Sequence, residues 1–274
     1  MSERTELESL GEFGLIERLT QPHTREIKNN STILSVGDDA ACLEYKDKVV
    51  LVSTDIMTEG VHFDMVYTPL KHLGYKACVV NFSDIYAMNA RPKQITISLA
   101  VSNRYSVEAL EELYAGIYLA CEKYGVDVVG GDTTSSAAGM FLSITVIGEA
   151  EKEKVVKRNG AKPYDLLCVT GDLGAAYAGL LVLQREKAAF MVNPNSQPQL
   201  KDYEYEVGRQ LKPEAQKKII DFFEQEGILP TSMIDISDGL ASEALHICKQ
   251  SEVGCEIYLE KLPVDYRTSK TFEE

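Results

Sequence analysis

The chain has little of what zinc and redox centres are usually built from. Its six cysteines, Cys42, Cys78, Cys121, Cys168, Cys248 and Cys255, form no C-x-x-C pair, and it has only four histidines. No Cys/His cluster has zinc spacing. Several of the thiols sit in apolar runs, where cysteine packs as a small hydrophobe, so a reduced, cytoplasmic compartment is expected. No apolar run approaches the roughly 20 residues of a membrane-spanning helix. The opening MSERTELESL is polar and acidic and does not read as a secretion signal. Lys and Arg number 28 against 42 Asp and Glu, a formal net charge of −14. A surface that acidic repels nucleic acid and anionic lipid. The G-x-x-x-x-G-K-[ST] loop, the G-x-G-x-x-G turn and the protein-kinase catalytic loop are all missing, so a nucleotide site here must be of another kind.

What is present is an ample core. The 274 residues are 45% hydrophobic, a length that suggests two domains. Helix-period and strand-period patterns alternate, which excludes an all-α or all-β fold. Strands are expected at Ile33 to Val36, Val49 to Ser53, Gln94 to Val101 and in VDVVG and MFLSITVIG. One helix is expected to start at Thr68-Pro69, with Leu70, Leu73, Ala77 and Val80 at helical spacing. A second is expected between a Ser106 cap and Gly125, its apolar face made of Val107, Leu110, Leu113, Ile117 and Cys121. The charged stretch Glu149 to Pro163 is the best domain boundary, dividing 1–150 from 151–274. Beyond it, Leu166 to Gly171 and Ser232 to Ile236 read as strands. Ala175 to Gln184 reads as a helix, Lys187 to Leu211 as a loop, and the residues after Pro213 and Leu240 to Gln250 as helices.

Five times a short apolar run ends in a small residue and then aspartate: SVGDD (Asp38, Asp39), VSTD (Asp55), NFSD (Asp84), VGGD (Asp132) and DISD (Asp235, Asp238). Four of these look like strand ends, whereas NFSD falls on the helix after Pro69. Each alone is explained by capping or a turn. Together, five carboxylate sites gathered in one place would raise one another's pKa, and divalent cations relieve that. With oxygen donors only, Mg2+ is preferred, and it commonly completes its shell with water and substrate phosphates. Such a site suits phosphoryl transfer, in which positioning and charge neutralisation do most of the catalysis. Arg158 in KRNGAKP is a fork donor for phosphate, and VTGDLG (Val169 to Gly174) opens a helix whose amides attract anions. His62 in EGVHF follows the Ser-Thr-Asp acid closely and could reach the same cleft.

In order, GEFGLIERL (Gly11 to Leu19), VGDDAA, STD, EGVHF, VNFSDIYAMNARP (Val80 to Pro92), GGDTT, RNGAKPYD, VTGDLGAAYAGL and IDISDGLASEALHI resemble the thiamine-monophosphate kinase family, within the ATP-binding superfamily of aminoimidazole ribonucleotide synthetase. The resemblance implies an α+β, two-domain PurM-like architecture. An N-terminal mixed sheet with helices on one face would dimerise into a homodimer, and a C-terminal α/β domain would follow. It implies ATP-dependent phosphorylation of thiamine monophosphate with several Mg2+ ions. Carried over, the metal ligands are Asp39, Ser53, Thr54, Asp55, Asp84, Asp132, Asp235 and Asp238, with Asp55, Asp84 and Asp132 catalytic. Gly131, Asp132, Arg158 and Ser237 would contact ATP, and His62 the thiamine substrate. It also implies a longer chain, with thiamine-ring contacts beyond Glu274. Asn89 and Tyr164 stand where the family usually has glycine, at turn-like positions, and glycine tolerates φ > 0 better than either. A sister enzyme of the superfamily and a metal- or nucleotide-binding module without turnover are the alternatives.

Overall fold

The computed structural model describes residues 32–34 and 38–273; GEFGLIERL and the Ser35 and Val36 end of the first expected strand lie outside them. Six strands form one mixed sheet: β1 (Thr32–Leu34), β2 (Ala41–Tyr45), β3 (Lys48–Thr58), β4 (Arg91–Val101), β5 (Asp127–Ser135) and β6 (Met140–Glu151), in the order β1-β2-β3-β6-β4-β5. β4 and β5 are parallel and the other pairings antiparallel. The parallel pair needs a crossover, which α2 (Val107–Tyr124) supplies; α1 (Leu70–Ala87) joins β3 to β4.

Both helices cover one face of the sheet. Strand alternation sorts the side chains: Leu51 and Met57 on β3, Ile95, Ile97 and Leu99 on β4, and Met140, Leu142, Ile144 and Val146 on β6 are buried beneath them. The intervening positions, Thr54 and Ile56 among them, face the open side. α1 and α2 cross at glycines. A Cβ at Gly74 would lie 2.0 Å from the Leu113 carbonyl oxygen, and one at Gly116 1.9 Å from that of Lys71.

The expected N-terminal elements form, with adjustments. Ser106 caps α2 by accepting from the Ala109 N–H at 3.2 Å, and Gly125 ends it at φ 73°. Val107 is 69% exposed, so it does not belong to the apolar face. Pro69 caps α1 instead of occupying its first turn. Asp84 lies on α1 as expected, whereas Asp55 and Asp132 fall inside β3 and β5, away from strand ends.

After Glu151 the described residues contain five α-helices and no strand: α3 (Ala175–Val192), α4 (Glu204–Leu211), α5 (Lys217–Glu226), α6 (Leu240–Ser251) and α7 (Tyr266–Glu273). Three local expectations therefore fail. Leu166 to Gly171 and Ser232 to Ile236 lie in no strand: Leu166 is 88% exposed, and the Met233 N–H makes a single backbone bond, to the Lys157 carbonyl at 3.2 Å; an apolar run becomes a strand only where another strand completes its ladder. Lys187 to Leu211 is not one loop either. α3 runs on to Val192, and α4 docks against it at Gly179, where a Cβ would lie 2.1 Å from the Glu206 carbonyl oxygen.

The C-terminal part is tied back at the segment between α4 and α5, which holds Tyr75 of α1 and Tyr124 of α2, and at α3, which reaches the turn before α1. Tyr75 and Tyr124 both donate to Glu214 at 2.7 Å, and Lys187 pairs with Asp64.

Candidate active site

Asp39 precedes β2, Asp84 sits in the last turns of α1, and Asp235 lies in the extended segment before α6. These three, far apart in sequence, each place a carboxylate oxygen within 4.8 Å of the others'. Two ionised carboxylates at that separation repel by about 3.5 kcal/mol at an effective dielectric of about 20. Burial, with that repulsion added, raises the pKa of these carboxyls. Asp84 is pushed up to about 9, first by burial, then by the charges of Asp55 and Asp235. Asp235 is raised to about 7 by burial and by Asp39, and Asp38 to about 6 by burial, with the Asp39 charge adding to it.

β3 supplies the flank. Its odd-numbered residues face the helices, so Ser53 points toward α1 and its Oγ donates to Asp84 Oδ2 at 2.6 Å. The Asp55 N–H donates to Asn81 Oδ1 at 3.2 Å, while Asn81 Nδ2 donates to the Ala77 carbonyl at 2.9 Å. That buried asparagine locks strand to helix beside the cluster. Arg158 closes the other side, with Nε donating to Asp39 Oδ2 at 2.9 Å and Nη2 to Asp39 Oδ1 at 2.8 Å. Its backbone N–H donates to Asp38 Oδ2 at 3.3 Å.

Residue types alone did not single out Asn81, Ser83, which bonds Asp235, or Glu243. Glu243 is 4% exposed and its Oε1 accepts the Asp238 N–H at 3.1 Å. The signals available were a serine beside the acid in NFSD and an acid one turn into the helix after DISDGL.

Other expected site residues stand apart. The Thr54 hydroxyl faces the open side of the sheet, where it donates to the Ile144 carbonyl at 3.1 Å and accepts from Thr145 Oγ1 at 3.0 Å. Asp132 is exposed on the outer strand β5, in register with Ser98 on that same open side. Gly131 beside it must be glycine, because a Cβ there would lie 2.0 Å from the Ile97 carbonyl oxygen. Ser237 and Asp238 are exposed just before α6. Asp238 does not cap that helix, whose N-cap is Gly239. His62 is exposed in the turn after β3, its Nδ1 accepting the Thr58 N–H at 3.0 Å. Against that turn lies a cleft of about 630 Å³ lined by Glu59, Asp64, Met65, Val66, Arg104 and Tyr105, among others.

The donors of the cluster are all oxygen, and without a cation the Asp84 and Asp235 carboxyls keep their protons to higher pH than carboxylates ordinarily do. That combination fits a hard divalent ion such as Mg2+.

Residues 37–150 match the family described as AIR synthase related protein, N-terminal domain. The thiamine-monophosphate kinase of Bacillus subtilis is 36% identical over 259 residues, covering 93% of this chain and 75% of the relative. The chain belongs to the thiamine-monophosphate kinase family. Two solved structures are similar throughout. One, AaThiL complexed with AMPPCP and TMP, has a TM-score of 0.84 and 35% identity over 99% of this chain and 80% of that one. The other, thiamine monophosphate kinase from Aquifex aeolicus, has a TM-score of 0.78 and 31% identity, covering 98% and 82%. The mixed α+β fold expected of a thiamine-monophosphate kinase is the fold observed.

Proposed function

We propose that this chain transfers the terminal phosphoryl group of ATP to the phosphate of thiamine monophosphate, giving thiamine diphosphate and ADP. The observation that carries the reading is the convergence of Asp39, Asp84 and Asp235 beside Arg158. A protein similar throughout, named as complexed with AMPPCP and TMP, supports it.

Asp39, Asp84 and Asp235 would hold Mg2+, with Ser53 and Asp55 alongside. When bound, the metal neutralises charge on the phosphates undergoing transfer. Ser53 orients Asp84 by hydrogen bond, and Asn81 fixes the backbone of Asp55. Arg158 holds Asp39 and presents a guanidinium that can turn to a nucleotide phosphate. Gly131 and Ser237 would contact further phosphate oxygens of ATP, as the family resemblance implies. Asp132 and Asp238, apart from the cluster in a single chain, are assigned to further cations by family resemblance, and Thr54 could contribute only its carbonyl. His62 and the adjoining cleft suit the thiamine moiety. The attacking phosphate oxygen is already ionised, so no general base is needed.

The open face of the sheet, with Thr54 and Ile56 uncovered, is the surface on which a homodimer would form. The cytoplasm is the compartment that suits the six unpaired thiols, and no described helix is long and apolar enough to cross a membrane.

The test is an assay for thiamine diphosphate with ATP, Mg2+ and thiamine monophosphate. Asp55→Asn and Asp84→Asn should each cut turnover by orders of magnitude while the fold persists. Near-normal rates in both would refute the metal-cluster mechanism. Calorimetry with Mg-ATP separates binding from turnover: binding without product would favour a module that holds nucleotide only.

A further inference from the structure

The turn that carries Arg158 is fastened by two serines that stand far from it in sequence. Ser232, in the extended segment before α6, donates from Oγ to the Arg158 carbonyl at 2.7 Å. Ser251, the last residue of α6, donates from Oγ to that same carbonyl at 2.9 Å. A carbonyl oxygen has two lone pairs, and the two hydroxyls use both. Ser251 Oγ also accepts the Ala161 N–H at 3.2 Å, so it grips both ends of the short turn. The Met233 N–H donates to the Lys157 carbonyl at 3.2 Å. Backbone meets backbone at Gly160, where a Cβ would lie 1.8 Å from the Thr231 carbonyl oxygen. Every one of these contacts is made to the main chain of the turn. They decide where the Arg158 side chain starts, and it ends on both carboxylate oxygens of Asp39. The fastening segment, Thr231 to Met233, leads directly into Asp235 of the carboxylate cluster.

We propose that Ser232 and Ser251 are positioning residues for phosphoryl transfer: they fix the main chain of Arg158 so that its guanidinium is delivered to the carboxylate cluster and to a nucleotide phosphate there. This rests on Arg158 being a phosphate contact, as proposed above. A long side chain sweeps a wide range of positions, and holding its root removes much of that freedom before the ligand arrives. Either serine alone leaves one hydroxyl on the carbonyl. Removing both frees the turn. Because the serines act through the main chain, their effect on nucleotide vanishes once the Arg158 side chain is cut back.

The test is Ser232→Ala and Ser251→Ala, separately and together, in the full chain. In the metal-free protein, exchange of the Arg158 Nε–H is expected to quicken about tenfold in the double variant and less in each single one, while the amides of β4 and β6 keep their rates. With Mg2+, the KM for ATP should rise about tenfold and that for thiamine monophosphate should stay as it was. Ser251→Thr, which keeps the hydroxyl, should recover what Ser251→Ala loses. In an Arg158→Ala background the serine substitutions should add nothing to the KM for ATP. Unchanged Nε–H exchange in the folded double variant would overturn the proposal. So would serine effects that add in full to those of Arg158→Ala, or a fall in kcat with both KM values unmoved, the pattern of a merely weakened fold. Failure of the unaltered chain to make thiamine diphosphate would instead refute the phosphoryl-transfer reading, and the exchange rates would still decide whether the serines hold Arg158.

Discussion

Arg158 spans both carboxylate oxygens of Asp39, at 2.9 Å and 2.8 Å, although KRNGAKP and SVGDD stand more than a hundred residues apart. The two side chains are 17% and 1% exposed, so neither charge has much water to fall back on. Removing one partner leaves the other buried and uncompensated, which costs about 3 kcal/mol or more. Arg158→Ala is therefore expected to lower the metal-free unfolding free energy, read from urea titration, by that order, with a matching fall in the midpoint. Mg2+ should restore part of the loss, because a cation at the cluster replaces the missing positive charge. Arg158→Lys keeps the charge but cannot bridge two oxygens at once, and should fall between the two. A midpoint unchanged in Arg158→Ala would show that the pair contributes nothing to the fold.

The raised carboxylates make stability depend on pH with a definite sign. Asp84 and Asp235 ordinarily ionise near 3.8, but in the folded chain at about 9 and about 7. Below the ordinary value both folded and unfolded chains are protonated, and the contribution to stability is intact. As pH rises above it, the unfolded chain releases these protons while the folded chain retains them, so stability falls through about 7 for Asp235 and about 9 for Asp84. Each group adds a slope of at most about 1.4 kcal/mol per pH unit. Urea midpoints in a chelator should decline across that window, and saturating Mg2+, which displaces the protons, should flatten the decline. Parallel curves with and without Mg2+ would mean that the cation does not bind where the protons sit.

Strand parity separates two adjacent hydroxyls. Ser53 donates to Asp84 at 2.6 Å on the helix side, while Thr54 bonds Ile144 and Thr145 across the open side. Ser53→Ala removes a hydrogen bond that favours the ionised form of Asp84, and metal affinity should drop by about tenfold, as when a partner of a metal ligand is lost. Thr54→Val should leave Mg2+ affinity unchanged and cost about 1 kcal/mol of stability for the lost hydrogen bonds. Calorimetric titration of both variants reads this directly. An equal loss of affinity in the two would place the Thr54 hydroxyl at the metal and contradict the parity assignment.

The same parity marks how far the sequence could be read. Alternation in Gln94 to Val101 and the Ser106 and Gly125 signals of α2 are local, so they survive unaltered in the fold. The recurrence of aspartate after apolar runs was enough to propose one cation site, and Asp39, Asp84 and Asp235 do meet. What could not be read was which acids share a face, because that depends on the pairing of β3 with β6 and of β4 with β5. Asp132 shows this, its register with Ser98 placing it on the side away from Asp84. Leu166 to Gly171 failed for a related reason: its composition suits a strand, but a strand needs a partner that no local pattern specifies.

Two positions flagged by unusual residue identity turn out to carry unusual backbone. Asn89 has φ 56° and Tyr164 φ 74°, at the sites where the family usually has glycine. For a side chain with Cβ, the left-handed region costs roughly 1–2 kcal/mol, with asparagine the common exception. Asn89 is compensated further, since its Nδ2 donates to the Lys154 carbonyl at 2.9 Å. Tyr164 is fully exposed, so its ring gains nothing from packing. Tyr164→Gly should therefore stabilise the chain by about 1 kcal/mol, partly offset by the greater freedom of glycine in the unfolded state, whereas Asn89→Gly should be neutral or slightly destabilising. Urea midpoints of the two variants decide it, and a loss of stability in Tyr164→Gly would mean that the tyrosine has a partner the single chain does not contain.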